Sequence, residues 1–224
     1  MKIQAVLTDI EGTTSSIAFV HETLFPYARQ HMSAFITKHA LRDDVAKLLE
    51  SARSEGDLSA GDDVLALLLG WMDEDKKVTS LKALQGLIWE DGYRSGALKG
   101  HIYDDAVEAL KRWNTEGLKL FVYSSGSIYA QKLLFGHSMA GDLTSIFSGY
   151  FDTTSGHKRE ADSYKRIAES MGVVPKAILF LSDVAEELDA AVAAGYQATQ
   201  LVRDESIVAS DSHTKVSSFD GIQF

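Results

Sequence analysis

The chain contains no cysteine. Disulfide bonds, thiolate metal sites and cysteine nucleophiles are thereby excluded, which agrees with a reducing, cytoplasmic setting. Positive charge is scarce: 22 Lys and Arg stand against 32 Asp and Glu, for a formal net charge of -10. Nucleic acid and anionic membrane surfaces need clustered cations, so neither is an expected partner. Any anionic ligand has to be held by local cations. Long apolar runs are missing too. The longest, Leu65 to Met72, is far short of a membrane span, and the short apolar stretch after Met1 and Lys2 is too brief for the core of a secretory signal. No internal repeat or low-complexity segment is present. What remains is 224 residues, 45% hydrophobic and 24% charged. That suits one domain, or one domain with a sizeable insert, and suffices for a proper core.

Hydrophobic periodicity divides the chain into three parts. Residues 2–8, K-I-Q-A-V-L-T, read as a short buried strand ending at Asp9. Residues 17 to about 96 place apolar residues at helical spacing throughout, in A-F-V-H-E-T-L-F-P-Y-A-R-Q-H-M, D-D-V-A-K-L-L-E, D-D-V-L-A-L-L-L-G-W-M and T-S-L-K-A-L-Q-G-L-I-W, with no strand signal. From Gly100 short apolar strands (L-K-L-F-V-Y, G-Y-F-D, A-I-L-F-L, Y-Q-A-T-Q-L-V) alternate with amphipathic helices. Such alternation predicts a parallel sheet covered on both faces. The expected architecture is therefore α/β: a Rossmann-like parallel sheet with helices on both faces, formed by residues 1–16 and 97–224, with an all-helical insert, residues 17–96, after the first strand.

In open parallel sheets ligands sit beyond the carboxyl ends of the strands. Asp9 and Glu11 follow the first predicted strand. Ser124, Ser125 and Gly126 follow L-F-V-Y, Ser182 and Asp183 follow A-I-L-F-L, and T-T-S-G-H-K near the short strand offers Lys158. Taken singly, each has an ordinary explanation. Asp before Gly-Thr is turn chemistry, Ser-Ser-Gly-Ser is a helix cap, Lys158 is a surface amine, and Asp183 caps the helix holding Glu186 and Glu187. Their joint occurrence, each at a strand end or its loop, is the composition of a Mg²⁺ and phosphate site.

In order and residue type, D-I-E-G-T, S-S-G, the lysine and S-D-V-A-E-E resemble the four motifs of the haloacid dehalogenase superfamily of phosphatases. Longer strings, I-E-G-T-T, L-Q-G-L-I-W (84–89), V-Y-S-S-G-S-I-Y-A-Q-K-L-L-F-G-H-S (122–138), G-Y-F-D-T (149–153) and F-L-S-D-V (180–184), resemble its enolase-phosphatase branch along essentially the whole chain. The superfamily's second acid is usually Asp; here it is Glu11, as in that branch. The resemblance implies a cap domain for the helical insert and one Mg²⁺ per chain, held by Asp9, Asp183 and Glu11, the last through its backbone carbonyl. It also implies a small phosphorylated substrate, 2,3-diketo-5-methylthiopentyl 1-phosphate, enolised and then dephosphorylated to an acireductone in methionine salvage.

Like charges at ~4 Å repel by roughly 4 kcal/mol at an effective dielectric of 20, so attack of a carboxylate on a phosphate needs cations. With Mg²⁺ and Lys158 supplying them, Asp9 is placed to form an aspartyl-phosphate. Glu11 is placed to protonate the leaving oxygen and then activate water. Ser124, Ser125 and Gly126 are the expected phosphate ligands at a helix N-terminus, and Glu187 the residue orienting a metal-bound water. Glu11 is the leading candidate for the enolising base; His21, His31 and His101 read as ordinary surface or core residues. Phe19, Leu24, Phe25 and Trp89 are candidates for contact with the methylthio tail, though most such residues pack helices. A phosphatase acting on another small metabolite would share the four motifs. A non-catalytic phosphate binder would lack a nucleophile or metal acid, and none is missing. The chain is expected to act as a monomer.

Overall fold

The computed structural model describes residues 2–205 and 207–223. It separates into two compact units: one comprises the chain up to Ile17 together with the chain from Lys99 onward, the other Ala18–Leu98.

The first unit is built on six parallel strands: β1 (Ala5–Thr8), β2 (Lys119–Tyr123), β3 (Phe147–Phe151), β4 (Ile178–Ser182), β5 (Gln197–Leu201) and β6 (Thr214–Val216), in spatial order β3-β2-β1-β4-β5-β6. The chain moves from β1 through β2 to β3 on one side, then crosses to β4 on the other. The order therefore reverses beside β1, between β1 and β4, where parallel α/β sheets leave a crevice. Ile3 to Leu7 supplies the β-branched and apolar run that fills a central strand, and all four β1 residues are buried. Side chains alternate between the two faces. On one face Ala5, Leu7, Phe121, Tyr123, Ile178 and Phe180 pack against Tyr164, Ile167 and Met171 of one covering helix and Leu188 and Ala191 of another.

The second unit is entirely helical among its described residues: α1 (Ile17–Phe19, which crosses the boundary), a π-helical stretch (Val20–Leu24), α2 (Phe25–His39), α3 (Asp43–Glu55), α4 (Val64–Asp73) and α5 (Thr79–Ser95). In α2, Ala28, Met32 and Phe35 recur at helical spacing and meet Val45 and Ala52 of α3, Leu68 and Trp71 of α4, and Leu81, Leu84 and Ile88 of α5. Asp63 caps α4 by accepting from the amides of Leu65 (2.9 Å) and Ala66 (3.3 Å). Gly92 lets α5 lie close to α2, since a β-carbon there would stand 2.7 Å from the Tyr27 ring. Trp89 donates its indole N–H to the Leu24 carbonyl (2.8 Å), with the Phe25 ring beside it, tilted by 42° at a centroid distance of 6.1 Å.

The sheet's covering helices are α6 (Asp104–Thr115), α7 (Ile128–Gly136), α8 (Ala161–Met171) and α9 (Ala185–Ala193). Sequence periodicity had no signal for β6: it is three residues long, mostly exposed, and placed only by pairing with β5. The predicted first strand is also shorter than its apolar run. Gln4 still pairs, its amide donating to Ala177 (2.8 Å), but regular strand geometry begins at Ala5.

Candidate active site

β1 delivers Asp9 to the crevice, its amide continuing the strand pairing to the Leu181 carbonyl (2.9 Å). Immediately after it the chain turns: the amides of Thr13, Thr14 and Ser15 all reach the Ile10 carbonyl at 2.8–3.1 Å. Gly12 makes this turn with φ +71°, a conformation that side chains rarely tolerate, and a β-carbon there would overlap the Asp183 carboxylate. The Thr14 hydroxyl closes the loop by donating to the Asp9 carbonyl (3.1 Å).

The two acids of this loop turn to different neighbours. Asp9 Oδ1 accepts the Ile10 amide (2.7 Å) and pairs with Lys158 Nζ (2.8 Å), while Oδ2 lies 3.4 Å from the Ser182 hydroxyl. Glu11 reaches toward the end of β2, where Ser124 donates its hydroxyl to Oε2 (3.1 Å). A two-residue spacing in extended chain would have put both carboxylates on one side; the turn at Gly12 separates their partners. Burial and the charge of Asp9 raise the Glu11 pKa.

Of the residues expected around phosphate, Ser124 is fully buried, and its hydroxyl also accepts the Gly126 amide (3.1 Å). Both Ser124 and Gly126 are thus engaged within the protein, and Ser125 is the member of the trio that faces a cavity. That cavity, about 300 Å³, is lined by Ser125, Thr153, His157, Lys158, Arg159 and Glu187. It belongs to the sheet unit and adjoins the carboxylates.

Lys158 is not a surface amine. It is buried, and its ammonium bridges Asp9 (2.8 Å) and Glu187 (2.7 Å). Burial alone would lower its pKa, but the two carboxylates outweigh that and hold it above the ordinary lysine range. Glu187 Oε2 also accepts the Ser182 hydroxyl (3.0 Å), so the residue expected to orient a metal-bound water is engaged with both Lys158 and Ser182. Two carboxylates share that one ammonium, and burial together with the Asp9 charge pushes Glu187 up to about 7.

Asp183, just past β4, has its own carbonyl held by Gln200 Nε2 (2.8 Å). Its carboxylate is oriented but poorly paired: Oδ1 is buried with no hydrogen-bond partner. Burial and the Asp9 charge push its pKa up to about 7. Four carboxylates, Asp9, Glu11, Asp183 and Glu187, face one ammonium here. Among the described residues no group of three or more His, Cys, Asp and Glu side chains is set to hold a metal. The donors that fit Mg²⁺ are instead two carboxylates and a backbone carbonyl, all oxygen, which is its preferred ligand chemistry. An unpartnered buried oxygen, excess negative charge and a glycine that keeps space before Asp183 all fit a hard cation.

Sequence reading did not find Arg203, which braces the loop from behind. Its Nε and Nη2 donate to the Thr13 carbonyl (3.0 and 2.8 Å), Nη1 grips both oxygens of Asp105 (2.9 and 2.8 Å), and its guanidinium lies 4.1 Å from the Tyr103 ring centre. The available signal was a lone cation directly after an apolar strand, in Q-L-V-R-D. Of the three histidines, His101 accepts the Ser16 amide on Nδ1 (3.1 Å); His21 and His31 belong to the helical unit, against Phe25 and Tyr27.

A parallel sheet whose central strand ends in an ion-paired aspartate, with a second acid on the adjacent strand end, defines a class of hydrolases. Residues 3–195 match the model of the haloacid dehalogenase-like hydrolases. The chain is 57% identical to the enolase-phosphatase E1 of Azotobacter vinelandii, over all of this chain and 98% of that one. It is 55% identical to that of Pseudomonas fluorescens, with the same coverage. Among solved structures, the UTR4 protein of Saccharomyces cerevisiae superposes with a TM-score of 0.84 at 34% identity, covering 99% of this chain and 100% of that one. The chain belongs to the haloacid dehalogenase-like hydrolases and, within them, to the enolase-phosphatase E1 family.

Proposed function

We propose that the cluster at the ends of β1, β2 and β4 carries both half-reactions of an enolase-phosphatase of methionine salvage, acting on 2,3-diketo-5-methylthiopentyl 1-phosphate. The observation that carries this reading is the Asp9 carboxylate: 3% exposed at a strand end, fixed through Oδ1 by Lys158 and the Ile10 amide, with Asp183 unpaired beside the same loop. Mg²⁺ held by Asp9, Asp183 and the Glu11 carbonyl would neutralise phosphate charge and polarise its oxygens.

In the first half-reaction Glu11 takes a proton from the phosphate-bearing carbon. The carbon–carbon double bond forms and the carbonyl electrons move to oxygen. Glu11 is then protonated, the state that its burial and the nearby Asp9 charge favour. In the second half-reaction Asp9 attacks phosphorus, with Oδ2 as the oxygen not already occupied by Lys158. The bond from phosphorus to the ester oxygen breaks, and Glu11 returns its proton to that leaving oxygen. Water then attacks phosphorus and gives a proton to Glu11 as the bond from phosphorus to Asp9 Oδ2 breaks, yielding inorganic phosphate; Glu11 passes that proton to solvent and is again a base. Ser124 keeps Glu11 aimed by donating to Oε2. Lys158 holds Asp9 and presents its remaining N–H to the phosphate, together with Ser125. The helical unit, residues 18–98, is assigned the part of cap domain. The enzyme is assigned one Mg²⁺ per chain and a monomeric state, and its cysteine-free composition agrees with a cytoplasmic setting.

The test is to incubate the protein with the diketo phosphate ester and follow the enol's ultraviolet absorbance and free phosphate together, with chelator and then with added Mg²⁺. Both signals are expected to vanish in chelator and return with Mg²⁺. Asp183→Asn is expected to raise the Mg²⁺ requirement by ~10-fold or more, as loss of a charged ligand should. Phosphate release without an enol would reduce the assignment to a simple phosphatase, and activity in chelator would overturn the metal site.

A further inference from the structure

We propose that His157 is a catalytic residue of the enolisation half-reaction, donating its Nε2–H to the substrate carbonyl oxygen on which enolate charge develops. The proposal rests on the enolase-phosphatase reading above and concerns a residue that the four motifs leave out. His157 lines the cavity of about 300 Å³ together with Lys158 and Glu187, both buried. That volume lies at the low end of small-ligand sites, ~300–1,000 Å³. The lining is polar: two hydroxyls, two permanent cations, a carboxylate and the imidazole. Such a wall suits the phosphate and dicarbonyl end of the substrate and offers little to a methylthio tail.

The imidazole's role follows from where its other nitrogen is committed. The Arg159 amide donates to His157 Nδ1 at 3.2 Å. Nδ1 therefore carries no proton, and in the neutral ring the proton sits on Nε2. Nδ1 is turned to its own loop, which leaves Nε2, on the far edge of the ring, as the polar atom available to a ligand. In that tautomer Nε2 is a donor and not a base.

Enolisation needs such a donor. As the C–H bond breaks toward Glu11 and the carbon–carbon double bond forms, the carbonyl electron pair moves onto oxygen; a fixed N–H beside that oxygen stabilises the charge without transferring its own proton. Lys158 cannot cover the whole substrate. Of its three N–H donors, two are taken by Asp9 and Glu187, and one remains for the phosphate end. His157 is exposed and close in sequence to Lys158, so it is placed to serve the adjoining carbonyl.

The experiment compares two reactions on the same variants. Wild type, His157→Ala and His157→Gln are assayed for enol formation from the diketo phosphate ester and for hydrolysis of p-nitrophenyl phosphate, which has no carbonyl to enolise. For His157→Ala the loss in enol formation is expected to exceed the loss in aryl phosphate hydrolysis by ~10-fold or more, in keeping with removal of one oxyanion donor. His157→Gln, which keeps an N–H donor, is expected to retain more of the enol rate than His157→Ala. Equal losses in both reactions, no loss in either, or equal impairment by Ala and Gln would each overturn the proposal. Should His157→Ala fail to fold, by circular dichroism, a Gln variant in which both reactions fall together overturns it as well. If wild type forms no enol, the failure lies in the enolase-phosphatase reading and not in His157.

Discussion

The two units bury different kinds of atoms. Inside the helical unit the buried polar side chains among the described residues are Ser80 and Gln85, and the rest of its interior is apolar. The sheet unit buries many more, and its buried charged side chains among the described residues are Asp9, Asp152, Lys158 and Glu187, with Thr13, Thr14, Ser15, Ser124 and Ser182 among the buried hydroxyls. Burying a charge costs several kcal/mol unless it is paired, and Asp183 Oδ1 is not paired. One unit therefore uses its interior to hold itself together, while the other accepts electrostatic strain in order to keep an aspartate dry and aimed. The contrast agrees with placing the proposed chemistry in the sheet unit, where stability and activity should respond separately to substitution.

The strongest way to separate them is Asp9→Asn. The change is nearly isosteric and removes one of four clustered negative charges, so circular dichroism should show an intact fold. Phosphate release should fall by ~10⁴-fold or more, as loss of a nucleophile does, while enol absorbance builds up on the uncleaved ester. Substantial phosphate turnover by this variant would remove Asp9 from the role of nucleophile.

Gly12→Ala should come next. It strains a backbone at φ +71° and pushes a methyl group against the Asp183 carboxylate, and misplacements of about 1 Å cost ~10²-fold in rate. The check is a kcat measurement across Mg²⁺ concentrations; a parent-like rate at ordinary Mg²⁺ would mean that the loop yields freely and that its geometry does not matter.

The converse substitution lies in the other unit. Leu68 is fully buried in the helical core, and Leu68→Ala should cost ~2–5 kcal/mol of stability. Urea denaturation should register that loss while aryl phosphate hydrolysis per folded molecule stays near the parent value. A large rate loss in a fully folded Leu68→Ala sample would erase the division of labour drawn above.

The smallest effect concerns His101. Burial lowers its pKa below the ordinary 6.5, against the opposing charge of Asp104 and with a smaller contribution from Arg203. The neutral ring accepts the Ser16 amide (3.1 Å). Because the folded value is depressed, the stabilisation is fully present above pH 6.5 and is lost as pH falls from there through the folded value. His101→Asn should therefore destabilise by about 1 kcal/mol at pH 7.5 and by less at pH 5.5. A gap that stays constant across that range would show that the ring's protonation is not linked to folding.

The sequence by itself determined much of this protein. Apolar runs of strand length alternating with amphipathic helices specify a parallel sheet, because helices must cover both of its faces. Helical spacing through α2 to α5 specifies an apolar bundle. The acids, serines and lysine after successive strands are legible as one site because parallel strands align their carboxyl ends. Tertiary structure alone decided the pairings. Ser124 went to Glu11 and not outward, Glu187 tethered Lys158, and Arg203, 190 residues beyond Thr13, became the brace of the loop after β1. None of these contacts is local, and each depends on which strands became neighbours. β6 stayed invisible for the same reason: three mostly exposed residues have no periodicity to read, and only the edge of β5 makes them a strand.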